Sequence, residues 1–250
     1  MAGAENARKP SRREARRQET IDEIKTLARR QLADHGAGGL SLRAIARDMR
    51  MTSAAIYRYF DNQSCLIGAL CVDAYTSLGD AIAAARRGCS SEPPARKWWV
   101  TSWAIRRWAS DNQAEFALIF GTPIAGYHAP AEVTGPAASR AAAMVLDTYA
   151  EALAAGVIDL DQRDVPDRPQ TGPLGDFLNA SQANSHSAET IAVVLNAWAS
   201  ILGFLVSESF GNLPLLWADT DALYAAHTRS VMRAMGYSAV DRAECVCPRA

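Results

Sequence analysis

Between Ser41 and Gln63 the chain gathers side chains suited to holding a polyanion and reading the edges of its bases. Thr52, Ser53, Ala54 and Ala55 are small, so a helix that begins with them can sit deep against base edges. Tyr57, Arg58 and Tyr59 follow at once and supply hydroxyls and one permanent positive charge for phosphates. Ser41, Arg43 and Gln63 extend the set on either side, and Arg43 suits a phosphate or a guanine edge equally well. Catalysis finds no comparable cluster. His35, His128, His186 and His227 are not at metal-ligand spacing, and no His-Glu-x-x-His, Gly-x-Ser-x-Gly or Walker sequence is present. The expectation is therefore a protein that is not an enzyme, with no catalytic residues, no metal ligands and no cofactor.

The elements that position these side chains are short helices. Leu42, Ile45, Ala46 and Met49 recur at helical spacing after Ser41, a good N-cap, and Thr52 supplies a second cap for a short helix through Tyr59. Two helices joined by so tight a turn bury little of themselves, so one packs across the other and leaves its outer face free. That is a helix-turn-helix. An upstream helix with Ile21, Ile24, Leu27, Ala28 and Leu32 on one face braces it from behind. It ends at Gly36-Ala37-Gly38-Gly39, which follows a helix instead of a strand and lacks a Lys-Ser/Thr ending, so it reads as a helix stop and not a nucleotide loop. Residues 1–17 carry Arg8, Lys9, Arg12, Arg13, Arg16 and Arg17 without apolar periodicity, and are expected to form a flexible basic arm, either a solubilising tail or a grip on phosphates or the minor groove.

With Ser41, Ile45-Ala46, Thr52, Tyr57-Arg58-Tyr59-Phe60 and Asn62 in this order, the segment resembles the DNA-binding domain of the TetR (tetracycline-repressor) family of bacterial regulators. The resemblance implies an all-α fold with a helix-turn-helix DNA-binding domain over 18–62 and a larger ligand-binding and dimerisation domain over 63–240. It also implies a homodimer that binds palindromic double-stranded DNA, most often as a repressor, and leaves it when a small-molecule effector binds. Two positions depart from the family pattern: Arg50 stands where the family usually has Gly, and Gln63 where a phosphate-contacting Lys is common. Arg50 is strained if the turn requires a positive φ; Gln63 still donates a hydrogen bond but brings no charge. A plain helical hairpin would have no need of an exposed Tyr-x-Tyr pair beside Arg58.

Composition agrees. The chain has 250 residues, 49% hydrophobic and 21% charged, which is globular and excludes disorder throughout. Its net charge of −1 hides an asymmetry: residues 1–65 hold 13 Lys/Arg against 8 Asp/Glu, and the remainder 13 against 19. A polyanion thus attracts the N-terminal part and repels the rest, which orients the protein before contact. No run approaches the roughly 18 consecutive apolar residues that suggest a membrane span, and the basic N-terminus lacks the apolar stretch of a signal peptide, so a cytoplasmic location without a membrane partner is expected. Cys65, Cys71, Cys89, Cys245 and Cys247 are too few and scattered for a disulfide framework.

A long amphipathic run from Asn62 to Arg87 reads as a lever between the two domains; its roughly 25 residues would make about 37 Å of helix. The next helix, opened by Pro93-Pro94, carries Trp98, Trp99, Trp103 and Trp108 and reads as central and buried on more than one side. Asn112 and Glu115 have capping-box spacing for a short helix with Phe116 and Phe120. Either these aromatics fill a solid core, or Trp103, Phe116, Phe120, Tyr127, His128, Met144, Trp198 and Leu202 enclose a ligand cavity. In the second case Arg106 or Arg107, near the interior, needs a carboxylate partner or an anionic or carbonyl-bearing ligand. Trp198 and Gly203 on a late helix also resemble a branch of the family common in actinobacteria, with Leu202 in place of that branch's His. Residues 159–187 read as a long loop with a short helix around Phe177. Of the last two helices, 187–210 and 219–235, the first is apolar on more than one face, and the pair is expected to meet a second copy, so that a charge at Leu205 would split the dimer. Ligand identity and operator are not legible, and a constitutive DNA-binding regulator without a ligand remains the alternative.

Overall fold

A computed structural model describes residues 11–121, 127, 130–163, 165–172 and 186–238. Among the described residues the protein is all-α, without strands; a single antiparallel bridge joins Ile158 to Tyr237. The chain forms two compact units, Met1–Leu70 with Pro123–His128, and Cys71–Thr122 with Ala129–Ala250.

The first unit opens with α1, Arg12–His35. This helix begins inside the stretch expected to be a flexible arm, because Ser11 and Glu14 form a capping box: the Ser11 N–H donates to Glu14 Oε2 at 2.7 Å and the Glu14 N–H donates to Ser11 Oγ at 3.3 Å. Gly36, at φ 66°, stops α1 and its N–H donates to the Leu32 carbonyl. Then follow α2 (Leu42–Asp48), α3 (Ser53–Ile56) and the start of α4 (Gln63–Gly88). Their spacing buries Ile24, Ala28, Leu32, Leu42, Ile45, Ala46, Ile56, Phe60, Leu66 and Leu70. Gln63–Leu70 belong with this unit, so the compact division falls within α4 and not at residue 62.

The second unit holds the remainder of α4 with α5 (Pro94–Asp111), α6 (Gln113–Phe120), α7 (Ala131–Ala154), α8 (Ala188–Ser209), α9 (Asn212–Leu216) and α10 (Thr220–Ala234). α5 is central, packing on α6, α7, α8 and α10. Trp98 and Trp99 are almost wholly buried, and two tyrosines tie the layers: Tyr224 Oη donates to the Ser102 carbonyl and Tyr149 Oη to the Met235 carbonyl, each at 2.8 Å. The capping box expected at Asn112 does not form. Only Asn112 separates α5 from α6, and its side-chain amide turns back to donate to the Trp108 carbonyl at 2.9 Å. The expected helix around Phe177 lies outside the described residues.

Two helices, Gln63–Gly88 and Ala188–Ser209, are long and apolar enough by length and composition to cross a membrane, which corrects the expectation of no such run. Half of the apolar window of α4 is buried in the fold, but only 33% of that of α8. Leu205 is not on the open side of α8. It is 1% exposed and belongs to the chain's own core, so a charge there would unfold the monomer before it tested any dimer.

Candidate DNA-binding face and regulatory cavity

The two caps read from the sequence within the helix-turn-helix, Ser41 and Thr52, both form. Ser41 Oγ accepts from the Ala44 N–H at 3.3 Å, while the Ser41 N–H donates to Gln31 Oε1 at 2.9 Å and so ties the start of α2 to α1. Thr52 Oγ1 accepts from the Ala55 N–H at 3.2 Å. The helix expected through Tyr59 is regular only to Ile56; beyond it, tight turns carry the chain, with the Tyr59 N–H donating to the Ile56 carbonyl at 2.9 Å. Ile56 and Phe60 anchor this segment inward. Thr52, Ser53, Ala54, Tyr57 and Arg58 are therefore exposed, with Ala55 and Tyr59 half-buried behind them. Arg43 is exposed on α2, and Gln63 is exposed as the first residue of α4, whose N-terminus is capped by Asn62 Oδ1 accepting from the Cys65 N–H at 2.9 Å. All ten residues expected to meet DNA thus lie along one short stretch of the first unit.

One residue of this face was not legible as such. Arg17, in the supposed arm, is on α1, where its guanidinium lies 5.2 Å from the centre of the Tyr59 ring and Nη1 donates to the Arg58 carbonyl at 3.1 Å. It positions the turn that presents Tyr57 and Arg58. A partner 41 residues away leaves no local signal.

Arg50 carries the strain its position suggested. Among the described residues it alone, apart from glycines, has a positive φ, 54°. Its N–H donates to the Arg47 carbonyl at 3.0 Å and the Met51 N–H to the Ala46 carbonyl at 2.8 Å, the paired bonds of a left-handed helix stop. Gly156 and Gly236 occupy the same place after α7 and α10. Replacing Arg50 with glycine is expected to stabilise the protein by about 1 kcal/mol, since a side chain in this conformation costs roughly that much. Urea unfolding monitored on the helical signal would read it, and an unchanged or lowered midpoint would contradict the strain.

In the second unit an apolar cavity of about 230 Å³ lies among α4, α6, α7 and α8. Tyr75, Leu78 and Ile82 come from α4, Phe120 from α6, Ser139 and Val145 from α7, and Val194 and Trp198 from α8. Of the residues expected to enclose a ligand, Phe120 and Trp198 line this cavity, their rings 5.5 Å apart. Phe116 packs behind Phe120, and Met144 and Leu202 pack on the core without lining the cavity. Trp103 and Arg107 line a different groove, beside Trp108 and the alanines Ala81, Ala84 and Ala85 of α4. Tyr127 groups with the first unit, and His128 lies outside the described residues.

Arg106 is buried as expected, but its partner is not a ligand. Nε and Nη2 donate to the two carboxylate oxygens of Glu208 at 2.9 and 2.7 Å, and Nη1 lies 2.8 Å from Asp221 Oδ1. The guanidinium also faces the rings of Trp103 and Tyr224, at 5.1 and 4.9 Å. Burial opposes the charge, yet these two carboxylates outweigh it and raise the Arg106 pKa further. Two carboxylates more than offset this cation, so it joins α5, α8 and α10 and leaves no unmet positive charge for an anionic effector.

A capped helix-turn-helix with an exposed face of small, hydroxyl and basic residues, followed by a separate all-α unit, defines a DNA-binding transcriptional regulator. Comparison with known proteins makes this specific. The profile described as "Bacterial regulatory proteins, tetR family" matches residues 24–70, and that described as "Tetracyclin repressor-like, C-terminal domain" matches residues 102–231. The chain is 37% identical over 221 residues to the HTH-type transcriptional regulators Rv1816 of Mycobacterium tuberculosis and Mb1846 of Mycobacterium bovis, covering 87% of this chain and 92% of each relative. The crystal structure of SCO4313 matches with a TM-score of 0.68 at 30% identity, over 89% of this chain and 99% of that one. RolR, crystallised with resorcinol, shares the fold at a TM-score of 0.55 and 16% identity, over 94% and 96% of the two chains. The chain belongs to the TetR family of transcriptional regulators. These families and relatives are regulators of transcription and not enzymes.

Proposed function

We propose that the protein is a ligand-responsive repressor that binds a palindromic operator as a homodimer and is released by a small molecule held in the second unit. The observation that carries the ligand part is the apolar pocket of about 230 Å³, partly open to solvent, which is walled in part by α4, the helix that continues from the DNA-binding unit. RolR, of the same fold, has been crystallised with resorcinol, which supports a ligand role for this architecture. The dimer part is supported by what α8 and α10 leave uncovered: Asn196, Ala199, Ser200 and Gly203 on the first, Ala226, Ser230 and Ala234 on the second. Small side chains allow the close approach of a partner helix. Beyond them Phe210, Leu215, Leu216 and Trp217 stand exposed, an apolar group that a monomer would not ordinarily show to water.

A twofold assembly of identical helix-turn-helix units matches a repeated half-site. Selection of bound fragments from genomic DNA, followed by footprinting, is expected to yield an inverted repeat; protection of an asymmetric site would count against the symmetric dimer. On the selected site Arg58→Ala is expected to weaken binding roughly 10-fold across sequences. It should also flatten the dependence of log K on log salt by about two, one phosphate contact per half-site. A loss confined to one base position would make Arg58 a base reader instead.

A further inference from the structure

We propose that the cavity of the second unit selects an uncharged, single-ring aromatic compound bearing one hydroxyl group, with Ser139 as its hydrogen-bond partner; this rests on the ligand-responsive reading above. Among the described residues no charged side chain lines the cavity. Among the charged groups on its helices, Arg140 pairs with Asp80 at 2.7 Å and Arg86 with Glu151 at 2.6 Å, which Lys97 of α5 also meets at 2.9 Å. An anionic or cationic ligand would lose its hydration without gaining a counter-ion.

Of the three lining residues with a polar side-chain atom, Ser139, Tyr75 and Trp198, only Ser139 is buried. It is 5% exposed, lines the cavity, and its Oγ has no hydrogen-bond partner. Buried hydroxyls on helices usually donate to the carbonyl one turn back. Thr134 and Thr148 of the same helix do so, to Pro130 and Met144 at 3.3 and 2.7 Å, as does Ser102 to Trp98 at 3.0 Å. Ser139 does not; the Thr101 and Thr228 hydroxyls are also without such a bond, but of the three only Ser139 lines this cavity, where its hydroxyl is left to a guest that brings one polar atom. A hydroxyl suits it because either oxygen can donate to the other.

The walls favour a ring. Tyr75 meets Phe120 edge to face at 6.0 Å, and Phe120 meets Trp198 in the same manner at 5.5 Å, forming an aromatic corner that another ring extends. Leu78, Ile82, Val145 and Val194 complete an apolar surround. At about 230 Å³ the space is half as large again as the ~150 Å³ cavity that accommodates benzene. A benzene ring with roughly three or four further heavy atoms would fill it.

The test uses the full chain and three probes of matched shape: 4-propylphenol, propylbenzene and 4-propylbenzoate. Binding is read by calorimetry and tryptophan fluorescence, and DNA release on the selected operator is followed in parallel. Tightest binding is expected for 4-propylphenol and none for 4-propylbenzoate. Ser139→Ala should weaken 4-propylphenol about 5-fold and leave propylbenzene unchanged, because only one hydrogen bond is lost. Ala142→Phe, which fills the cavity, should abolish both while the thermal melt shows an intact fold. Benzoate binding as tight as phenol, or an equal loss of phenol and propylbenzene in Ser139→Ala, would overturn the proposal. Saturable phenol binding with those substitution effects but no DNA release would uphold this site and sink the ligand-release reading. Release by a charged effector that Ala142→Phe does not block would do the reverse.

Discussion

Gly203→Arg is expected to convert the protein to a folded monomer and to lower operator affinity roughly 100-fold or more, the loss that follows when two linked half-site contacts become independent. The substitution is chosen because it separates association from folding. Gly203 is exposed on α8, and a Cβ built there meets nothing within 4 Å, so the chain's own packing has room for a side chain. Glycine inside a helix is about 1 kcal/mol worse than alanine, so the monomer gains helix stability from the change. A partner helix lying against Asn196, Ala199, Ser200 and Gly203, by contrast, meets a long charged side chain where it needs close contact. Sedimentation should show a monomer and circular dichroism an unchanged helix content with an equal or higher melting point. An undisturbed dimer would place the interface elsewhere, with the exposed group around Leu215, Leu216 and Trp217 as the next surface to test.

The contrast between Gly203 and Leu205 shows where sequence reading reaches its limit. Large apolar residues around α8 announce that more than one face is covered, but they do not say which face is covered by the chain itself. In the fold, Val194, Ile201 and Leu205 turn into the core, while Leu195 and Phe210 stay exposed with the small residues Ala199, Ser200 and Gly203. Hydrophobic size alone therefore does not separate the face the chain covers itself from the face it leaves open. The helix-turn-helix was legible for the opposite reason. Its caps act over three residues, as Ser41 does on Ala44 and Thr52 on Ala55, and its turn is set by the single residue Arg50. Local bonds leave local signatures. Arg17 beneath Tyr59, Asn112 serving α5 instead of α6, and the cavity walls from α4 and α7 depend on which distant surfaces meet, and periodicity carries no such information. Phe120 and Trp198 were found because aromatics are common in pocket walls; Ser139, a serine in an alanine-rich helix, had nothing to mark it.

Arg106→Met is expected to destabilise the protein by about 2–3 kcal/mol in the absence of any ligand, and this decides between two roles for a buried arginine. Methionine keeps most of the contact with Trp103 and Tyr224 while removing the charge. Glu208, its side chain 20% exposed, then loses its bidentate partner, which is the costly half of breaking a buried ion pair. Asp221, at 68% exposure, returns to water at little cost, and the expected loss is therefore below the 3–5 kcal/mol typical of fully buried pairs. Adding Glu208→Leu should recover most of the stability, since an apolar pair of similar volume replaces the ion pair without leaving a charge behind. The cycle of single and double variants, read from urea midpoints, isolates the coupling between the two residues. An arginine kept for an anionic effector would behave otherwise: its removal would leave the free protein as stable as before, or more so, and would show only in ligand affinity. An Arg106→Met protein with an undiminished midpoint would show that the ion pair contributes no net stability and would remove the structural role assigned to Arg106; the cavity beside Ser139, which Arg106 does not line, is tested separately.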